Sequence, residues 1–557
     1  MQRSLARFKT RRPSLWVAVS QPSHVLVLST IIVAAGFVRV WGIGFGLPHL
    51  HHPDEWALTM PALKILQTGD LNPHRFDYGS LYIYGLTAVY GFSFLIGGLT
   101  GLTPAIHQLP IYEPTHNVYA YPYPEVYLIG RGLAALLGTL AVLSIYLTGR
   151  RFANRRVGIV AAAFLGFLPL HAVNSHFVTT DVPVTLFVTL SFFVALRTLT
   201  SAGYRDYALA GLFAGLTASV KYTGGAIVIT LVMAHLLYPR RAREGRKLLV
   251  GLGCALVGFA LSTPFALADL GTWREWIDYV SSVYNPPGPM LTGSSARWYL
   301  GYLFELPLGL ISLPATLGLI WGLKDRKREV WMAAAFIAVY FAFMSTYRLR
   351  WPRALMPLLP FLALLAAYFV DRLAERVGEK RNWRKQHTDR LAALIAISLL
   401  AWPLQSTIAH AHRFTQSSAR TLAREWITEN ISSGAKIASD LAAPVLSPGR
   451  FQVDRVGWSI LTHDLSWYQQ EGFEYMVISS SVRYSINRST EQEQQYQALL
   501  GDPALTLIAT IRGHLLSYPD NAIWIYRLES LPEESFGGRQ GANAWGELRY
   551  RQKAQII

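Results

Sequence analysis

Long apolar runs alternate with short polar connections over the first three quarters of the chain, and then the pattern changes. The apolar runs fall at about 25–47, 80–102, 126–148, 157–173, 182–199, 207–238, 248–268, 302–322, 330–346, 354–370 and 391–409. Most approach the length of about 20 residues that a helix needs to cross a bilayer. After residue 410 the apolar period shortens. ARTLAREWITEN (419–430) reads as an amphipathic helix, and KIASD, YMVISS, LTLIATI and AIWIYRL read as strands, with a helix over TEQEQQYQALL between them. The pattern predicts a polytopic α-helical membrane unit over 1–410, a small α/β domain over 411–530 and a polar tail over 531–557.

Polar residues between the runs give them sides. Basic clusters stand at Arg3 to Arg12, at Arg150, Arg151, Arg155 and Arg156, at Arg197 and Arg205, from Arg240 to Lys247, from Lys324 to Arg328, and between Arg372 and Arg390. Such clusters mark cytoplasmic loops. The first run has no small-residue cleavage site behind it and reads as a retained helix. An odd number of crossings must separate residue 47 from the Arg150 cluster. Run 80–102, rich in Gly, Tyr and Ser, is therefore expected to lie in the outer interface or to re-enter from it. Run 207–238 begins and ends at cytoplasmic clusters, with Lys221 at its middle. Two short helices turning at Lys221-Tyr222-Thr223-Gly224-Gly225 satisfy the parity, whereas one long tilted helix does not. The count becomes about 11 spans, with the C-terminal domain extracytoplasmic in a prokaryotic plasma membrane.

Composition agrees with this picture. Residues are 52% hydrophobic and 15% charged, against about 25% charged in ordinary soluble domains. The net charge of +17 sits in the short loops, which reads as membrane anchoring and excludes a nucleic-acid partner. The single cysteine, Cys254, excludes an intrachain disulfide.

Chemistry concentrates where charge is otherwise scarce. His49-Leu50-His51-His52-Pro53-Asp54-Glu55 follows the first span directly. Two adjacent carboxylates at a membrane exit suit a general base for a substrate that arrives in the lipid. Arg348, Arg350 and Arg353 lie in STYRLRWPRALMPLLP at an expected outer helix end, against the positive-inside tendency. Guanidinium groups there suit a phosphate, and Lys221 is a second cation on the same side. Arg131 and Arg39 fit snorkelling as well as phosphate binding. Asp181, at an outer junction, either caps the next helix or meets a cation. His49, His51 and His52 are metal-ligand types suited to zinc or manganese, but no ligand spacing such as HExxH accompanies them.

Taken together, these segments resemble the GT-C glycosyltransferases, in the branch of the protein O-mannosyltransferases and the lipid A aminoarabinose transferase. The likeness rests on Asp54-Glu55 after the first span, Arg131 in YLIGRGLAALLGTL, LPLHAVNSHFVTTDVP with Asp181, AGLTASVKYTGG with Lys221, STPFALADLGTWREWIDYV and RWPRALMPLLP, in order over 25–370. It implies a GT-C catalytic unit over 1–410. It implies that a polyprenyl-phosphate sugar is attacked with inversion at the outer face by a lipid, glycan or protein acceptor. Asp54 is then the base with Glu55 beside it, His52 and Asp181 are secondary candidates, and Lys221, Arg348, Arg350, Arg353 and Arg131 are candidates for the donor phosphate. No histidine in 268–300 matches the zinc-binding member, so no cofactor is assigned. The rival readings are a flippase for a lipid-linked glycan and a membrane-anchored sensor. A transporter calls for charges along a path through the midplane, whereas these gather at one side.

Overall fold

The structure is a computed structural model describing residues 22–100, 124–201, 203–239, 243–285, 293–447, 449–456, 459–483, 490–513 and 522–529. The expected polar tail over 531–557 lies outside the described residues. The helices are α1 (Pro22–Val40), α2 (Pro53–Thr68), α3 (Leu81–Thr100), α4 (Pro124–Phe152), α5 (Arg155–Gly166), α6 (Pro169–Asn174), α7 (Asp181–Thr198), α8 (Tyr204–Val220), α9 (Val228–Leu237) and α10 (Gly245–Ser262). They continue with α11 (Phe265–Ala268), α12 (Leu270–Tyr284), α13 (Ser295–Phe304), α14 (Gly309–Lys324), α15 (Arg328–Met344), α16 (Leu359–Lys380) and α17 (Lys385–Arg413). Among the described residues, six helices are long and apolar enough to cross a bilayer, α3, α4, α7, α10, α16 (with the 3₁₀ turn before it) and α17. Two shorter apolar segments, His24–Val40 and Tyr222–Leu237, accompany them, and α13 and α14 form one span broken by a 104° bend.

Within run 80–102, Leu81–Thr100 is one unbroken helix, long and apolar enough to cross a bilayer as well as to lie in the interface. Its Tyr90 meets α4 at Gly130, where an added Cβ would lie 2.6 Å from the phenol oxygen. Helices α2, α3 and the start of α4 share a core of their own, with Leu58, Leu63, Ile83, Leu86, Tyr90 and Tyr127. A larger core joins α4, α5, α7, α8, α15 and α16.

The chain turns back at Lys221. Helix α8 stops at Val220, Lys221 is extended, and a 3₁₀ turn over Tyr222–Ile227 leads into α9. The Tyr207 hydroxyl, near the start of α8, lies 2.8 Å from His235 Nδ1, near the end of α9. Only an antiparallel pair brings these ends together. α8 also packs along α10 at backbone distance: a Cβ on Gly211 would lie 1.8 Å from the Gly251 oxygen, and one on Gly215 2.0 Å from that of Ala255. This is the small-residue spacing that lets membrane helices approach closely.

After α17 come α18 (Ala419–Asn430), β1 (Lys436–Ser439), β2 (Gln452–Arg455), α19 (Leu465–Gln470), β3 (Tyr475–Ser479), α20 (Ser480–Arg483), α21 (Thr490–Leu500), β4 (Leu505–Arg512) and β5 (Ala522–Leu528). The sheet order is β2-β1-β3-β5-β4, with β1 parallel to β2 and β3, and β5 antiparallel to β3 and β4. Strand alternation sends Ile437, Val477 and Ile525 to the face covered by α18, and Ala438, Met476, Ile478 and Tyr526 to the face with Tyr468 and Tyr496. β2, short and polar, carries no alternating signal and is not among the strands expected from the sequence.

Candidate active site

Helix α2 begins with the motif that opens the site. His52 is its N-cap, accepting the Asp54 amide at 3.2 Å on Nδ1, and Pro53 occupies the first helical position. Asp54 and Glu55 therefore stand in the first turn, where the helix dipole favours carboxylates. Successive helical residues point about 100° apart, so the two carboxylates part company.

Glu55 is fully buried and meets Arg131 through two bonds, Nε to Oε1 at 2.7 Å and Nη2 to Oε2 at 2.9 Å. The Val178 amide donates to Oε1 at 3.2 Å. Arg131 donates its remaining Nη1 to the Ile43 and Phe45 carbonyls, each at 2.9 Å, and lies over the Phe45 ring. The pair joins α2, α4 and the segment after α1.

Asp54 faces the other way, with its side chain 14% exposed. Its Oδ2 accepts from Arg353 Nη1 at 2.9 Å and from the Tyr78 hydroxyl at 2.9 Å. Arg353 Nε also stands 4.0 Å from Asp181 Oδ2, and Asp181 Oδ1 accepts from Lys221 Nζ at 2.7 Å. Asp54, Arg353, Asp181 and Lys221 thus form a chain of alternating charge, with Asp181 almost wholly buried. Burial opposes ionisation of Asp54, but Arg353, followed by His52, the Tyr78 hydroxyl and Lys221, outweighs it and holds the carboxyl well below its ordinary range.

The loop carrying Tyr78 is fastened to the Lys221 turn. The Tyr222 hydroxyl donates toward the Phe76 and Tyr78 carbonyls at 3.1 and 3.2 Å, and the Ser80 amide bonds Thr263 Oγ1 at 3.1 Å. Gly79 passes so close to α8 that a Cβ there would lie 2.1 Å from the Ser219 oxygen. Arg75, bonded to Asp77 at 2.7 Å, is stacked between Trp56 of α2 and Trp276 of α12.

Among the described contacts, the three outer arginines share no partner. Arg353 joins the acidic residues. Arg350 donates Nε to Ser295 Oγ at 3.1 Å and Nη2 to the Gly293 carbonyl. Arg348 is exposed, and its amide bonds the Tyr284 carbonyl at 3.2 Å. Arg39 is buried against the Ala35 and Gly166 carbonyls and His171. Asp181 is the first residue of α7, but Thr180 is its N-cap, so the aspartate serves the ion-pair chain.

The histidines part as well. His49 Nε2 accepts the Val445 amide of the C-terminal domain at 3.0 Å, His52 caps α2 and touches Arg353 Nη1, and His51 packs by Phe45. Burial, then Arg420, lowers the pKa of both His49 and His51, that of His49 to about 3. Among the described residues, no three His, Cys, Asp or Glu side chains are grouped to hold a metal ion. Tyr78, the residue of this site that the sequence reading missed, sits in an aromatic loop with nothing local to distinguish it from its neighbours.

Two kinds of comparison place this architecture. The family described as dolichyl-phosphate-mannose-protein mannosyltransferase matches residues 129–267. ArnT from Cupriavidus metallidurans, solved bound to undecaprenyl phosphate, superposes with a TM-score of 0.55 at 15% identity over 93% of this chain and 99% of that one. The fold is that of the GT-C superfamily. The apo oligosaccharyltransferase of Archaeoglobus fulgidus shares it, with a TM-score of 0.52 at 12% identity over 83% of this chain and 70% of that one. In sequence, the undecaprenyl phosphate-alpha-4-amino-4-deoxy-L-arabinose arabinosyl transferase of Serratia proteamaculans is 23% identical over 418 residues, 71% of this chain and 67% of that protein. Transferase 2 of that kind from Proteus mirabilis is 27% identical over 250 residues, 42% of this chain. The matched part is about half the length of the first relatives, 53% of an Aquifex aeolicus protein and 44% of the Proteus one.

Proposed function

We propose that this GT-C protein is a glycosyltransferase that moves a sugar from a polyprenyl-phosphate donor to an acceptor at the outer membrane face, with inversion. One observation carries the reading. A carboxylate, Asp54, and two cations, Arg353 and Lys221, are joined in one ion-pair chain at a single end of the helical bundle. Inverting transfer from a phosphate needs both functions in one site, one on each face of the anomeric carbon. The acceptor O–H or N–H gives its proton to Asp54 as the acceptor atom bonds the anomeric carbon. The carbon–oxygen bond to phosphate breaks, its electron pair stays on the phosphate, and Lys221 and Arg353 stabilise the growing charge without reorganising. Relatives named as undecaprenyl-phosphate arabinosyl transferases support this donor class.

The role assigned to Glu55 moves. Its pairing with Arg131 favours a part in fixing the first turn of α2 so that Asp54 faces the cations. Arg348 and Arg350 are assigned to ordering the segments around Ser295 and Tyr284. His52 positions Asp54 through its cap. α7 has 18 residues, about 27 Å of rise, and it separates Asp181 from the Arg197–Asp206 pair at the far end. Basic residues gather at that far end, which supports a cytoplasmic location for it and an extracytoplasmic Asp54; the count of about 11 crossings remains a proposal. The same segregation argues against a transport path through the midplane.

The test uses protein in nanodiscs with a panel of polyprenyl-phosphate sugars, following release of polyprenyl phosphate. Turnover that disappears in Asp54→Asn supports the reading, and undiminished turnover in that variant overturns it.

A further inference from the structure

The cations of the site are already occupied. Arg353 spends one nitrogen on Asp54 Oδ2 at 2.9 Å and turns another toward Asp181 at 4.0 Å. Lys221 is bonded to Asp181 at 2.7 Å. In this arrangement Asp54 is a poor base, because the Arg353 guanidinium and the Tyr78 hydroxyl both hold its ionised form. A phosphate bearing negative charge competes for the same donors, and a guanidinium engaged by phosphate oxygens has fewer donors for a carboxylate.

We propose that the donor phosphate switches the base on: it takes Arg353 and Lys221 away from Asp54 and Asp181, and only then is Asp54 free to accept the acceptor's proton. This rests on the reading of Asp54 as the base, and it adds an order, donor before acceptor. The exchange balances in charge. The Asp54–Arg353 pair opens, the phosphate–Arg353 and phosphate–Lys221 pairs form, and no proton moves until the acceptor arrives. Asp54 keeps Tyr78 as a donor and His52 beside it, so the freed carboxylate stays aimed at the site. The other charges near it are Asp181 and Lys221 from the α7 and α8 ends and Arg75 with Asp77 from the adjoining loop. Two consequences follow. A molecule without donor carries a suppressed base, which limits reaction of the site with stray acceptors. And each carboxylate in the chain is a competitor of the donor, so its removal tightens phosphate binding, the reverse of what losing a supportive contact does.

The experiment measures binding of undecaprenyl phosphate to wild type, Asp54→Asn, Asp181→Asn and Arg353→Ala in nanodiscs, with thermal unfolding to confirm that each variant is folded. Asp54→Asn is expected to bind about tenfold more tightly than wild type while failing to turn over, a change equivalent to one lost competitor. Asp181→Asn moves in the same direction, and Arg353→Ala binds about tenfold more weakly. Equal or weaker binding by both folded Asn variants overturns the switch and leaves the base reading standing. Unchanged binding by Arg353→Ala overturns it as well. Full turnover by Asp54→Asn instead removes the base reading itself, so the two failures are distinguishable.

Discussion

Two neighbouring carboxylates have opposite fates because one helical step separates them. Glu55 is fully buried, with both oxygens paired to Arg131 and one also receiving the Val178 amide. Removing one partner of such a pair leaves an uncompensated charge and costs about 3–5 kcal/mol. Glu55→Gln and Arg131→Ala are therefore expected to lower the unfolding midpoint sharply, and the activity that survives in folded protein is expected to keep its donor KM. Asp54→Asn is expected to do the reverse, keeping the midpoint and losing about 10²–10⁴ in kcat. Thermal unfolding and single-variant kinetics in nanodiscs separate the two cases, and a shared phenotype counts against this division of labour. The sequence reading named Asp54 as the base with Glu55 beside it, but did not foresee the separate ion pair that Glu55 makes. The difference depends on Arg131, 76 positions away from Glu55, and no local pattern reports such a meeting. For the same reason the cluster Arg348, Arg350 and Arg353 looked like one phosphate clamp. Its backbone is not helical before Pro352, and Arg353 meets Asp54 whereas Arg350 meets Ser295.

At the scale of elements, parity of basic clusters was enough to predict the hairpin at Lys221, because charge on loops is a local property of sequence. The contacts that hold the hairpin in place were less legible. Gly211 and Gly215 allow α8 to touch α10, whose membrane-facing surface is otherwise largely exposed. Gly211→Leu is expected to separate α10 from α8, which thermal unfolding in nanodiscs reads as a lowered midpoint. Gly79 performs the same service for the loop bearing Tyr78. Gly79→Ala forces that loop from the Ser219 carbonyl, with an overpacking cost of about 1–3 kcal/mol, and so displaces Tyr78 and Lys221 together. The expected result is a fall in kcat greater than the fall in stability. A variant with wild-type kinetics shows that the loop adjusts without moving the site.

The whole molecule ties its C-terminal domain to the loop that leads into the site. Arg420, in the first turn of α18, donates to the Leu50 carbonyl, and His49 accepts the Val445 amide at 3.0 Å. Phe414, just past α17, packs with Phe45, His176 and Phe177 at the same junction. The carboxyl end of β1 is close to this seam, where burial pushes Asp440 up to about 7. Residues 49–51 thus connect the C-terminal sheet to the segment that ends in the N-cap of α2, three to five positions before Asp54. His49 makes the docking sensitive to acid. Its pKa falls from 6.5 to about 3 through burial and the nearby Arg420, Arg424 and Arg455, so the docked state holds it neutral. A histidine with a lowered folded value contributes its stabilisation above the unfolded value of 6.5. That contribution is lost as pH falls from there toward 3, because the released form takes up the proton first. Proton uptake also removes the lone pair that accepts the Val445 amide. As pH drops below about 6.5, protease susceptibility of the junction around residues 414–418 is therefore expected to rise more steeply in wild type than in a variant without this histidine, because Asp440, with its raised value, acts in the opposite sense in both. His49→Gln keeps an acceptor without a titrating ring and is expected to flatten that dependence. A His49→Gln profile parallel to that of wild type down to pH 4 detaches His49 from control of the docked domain.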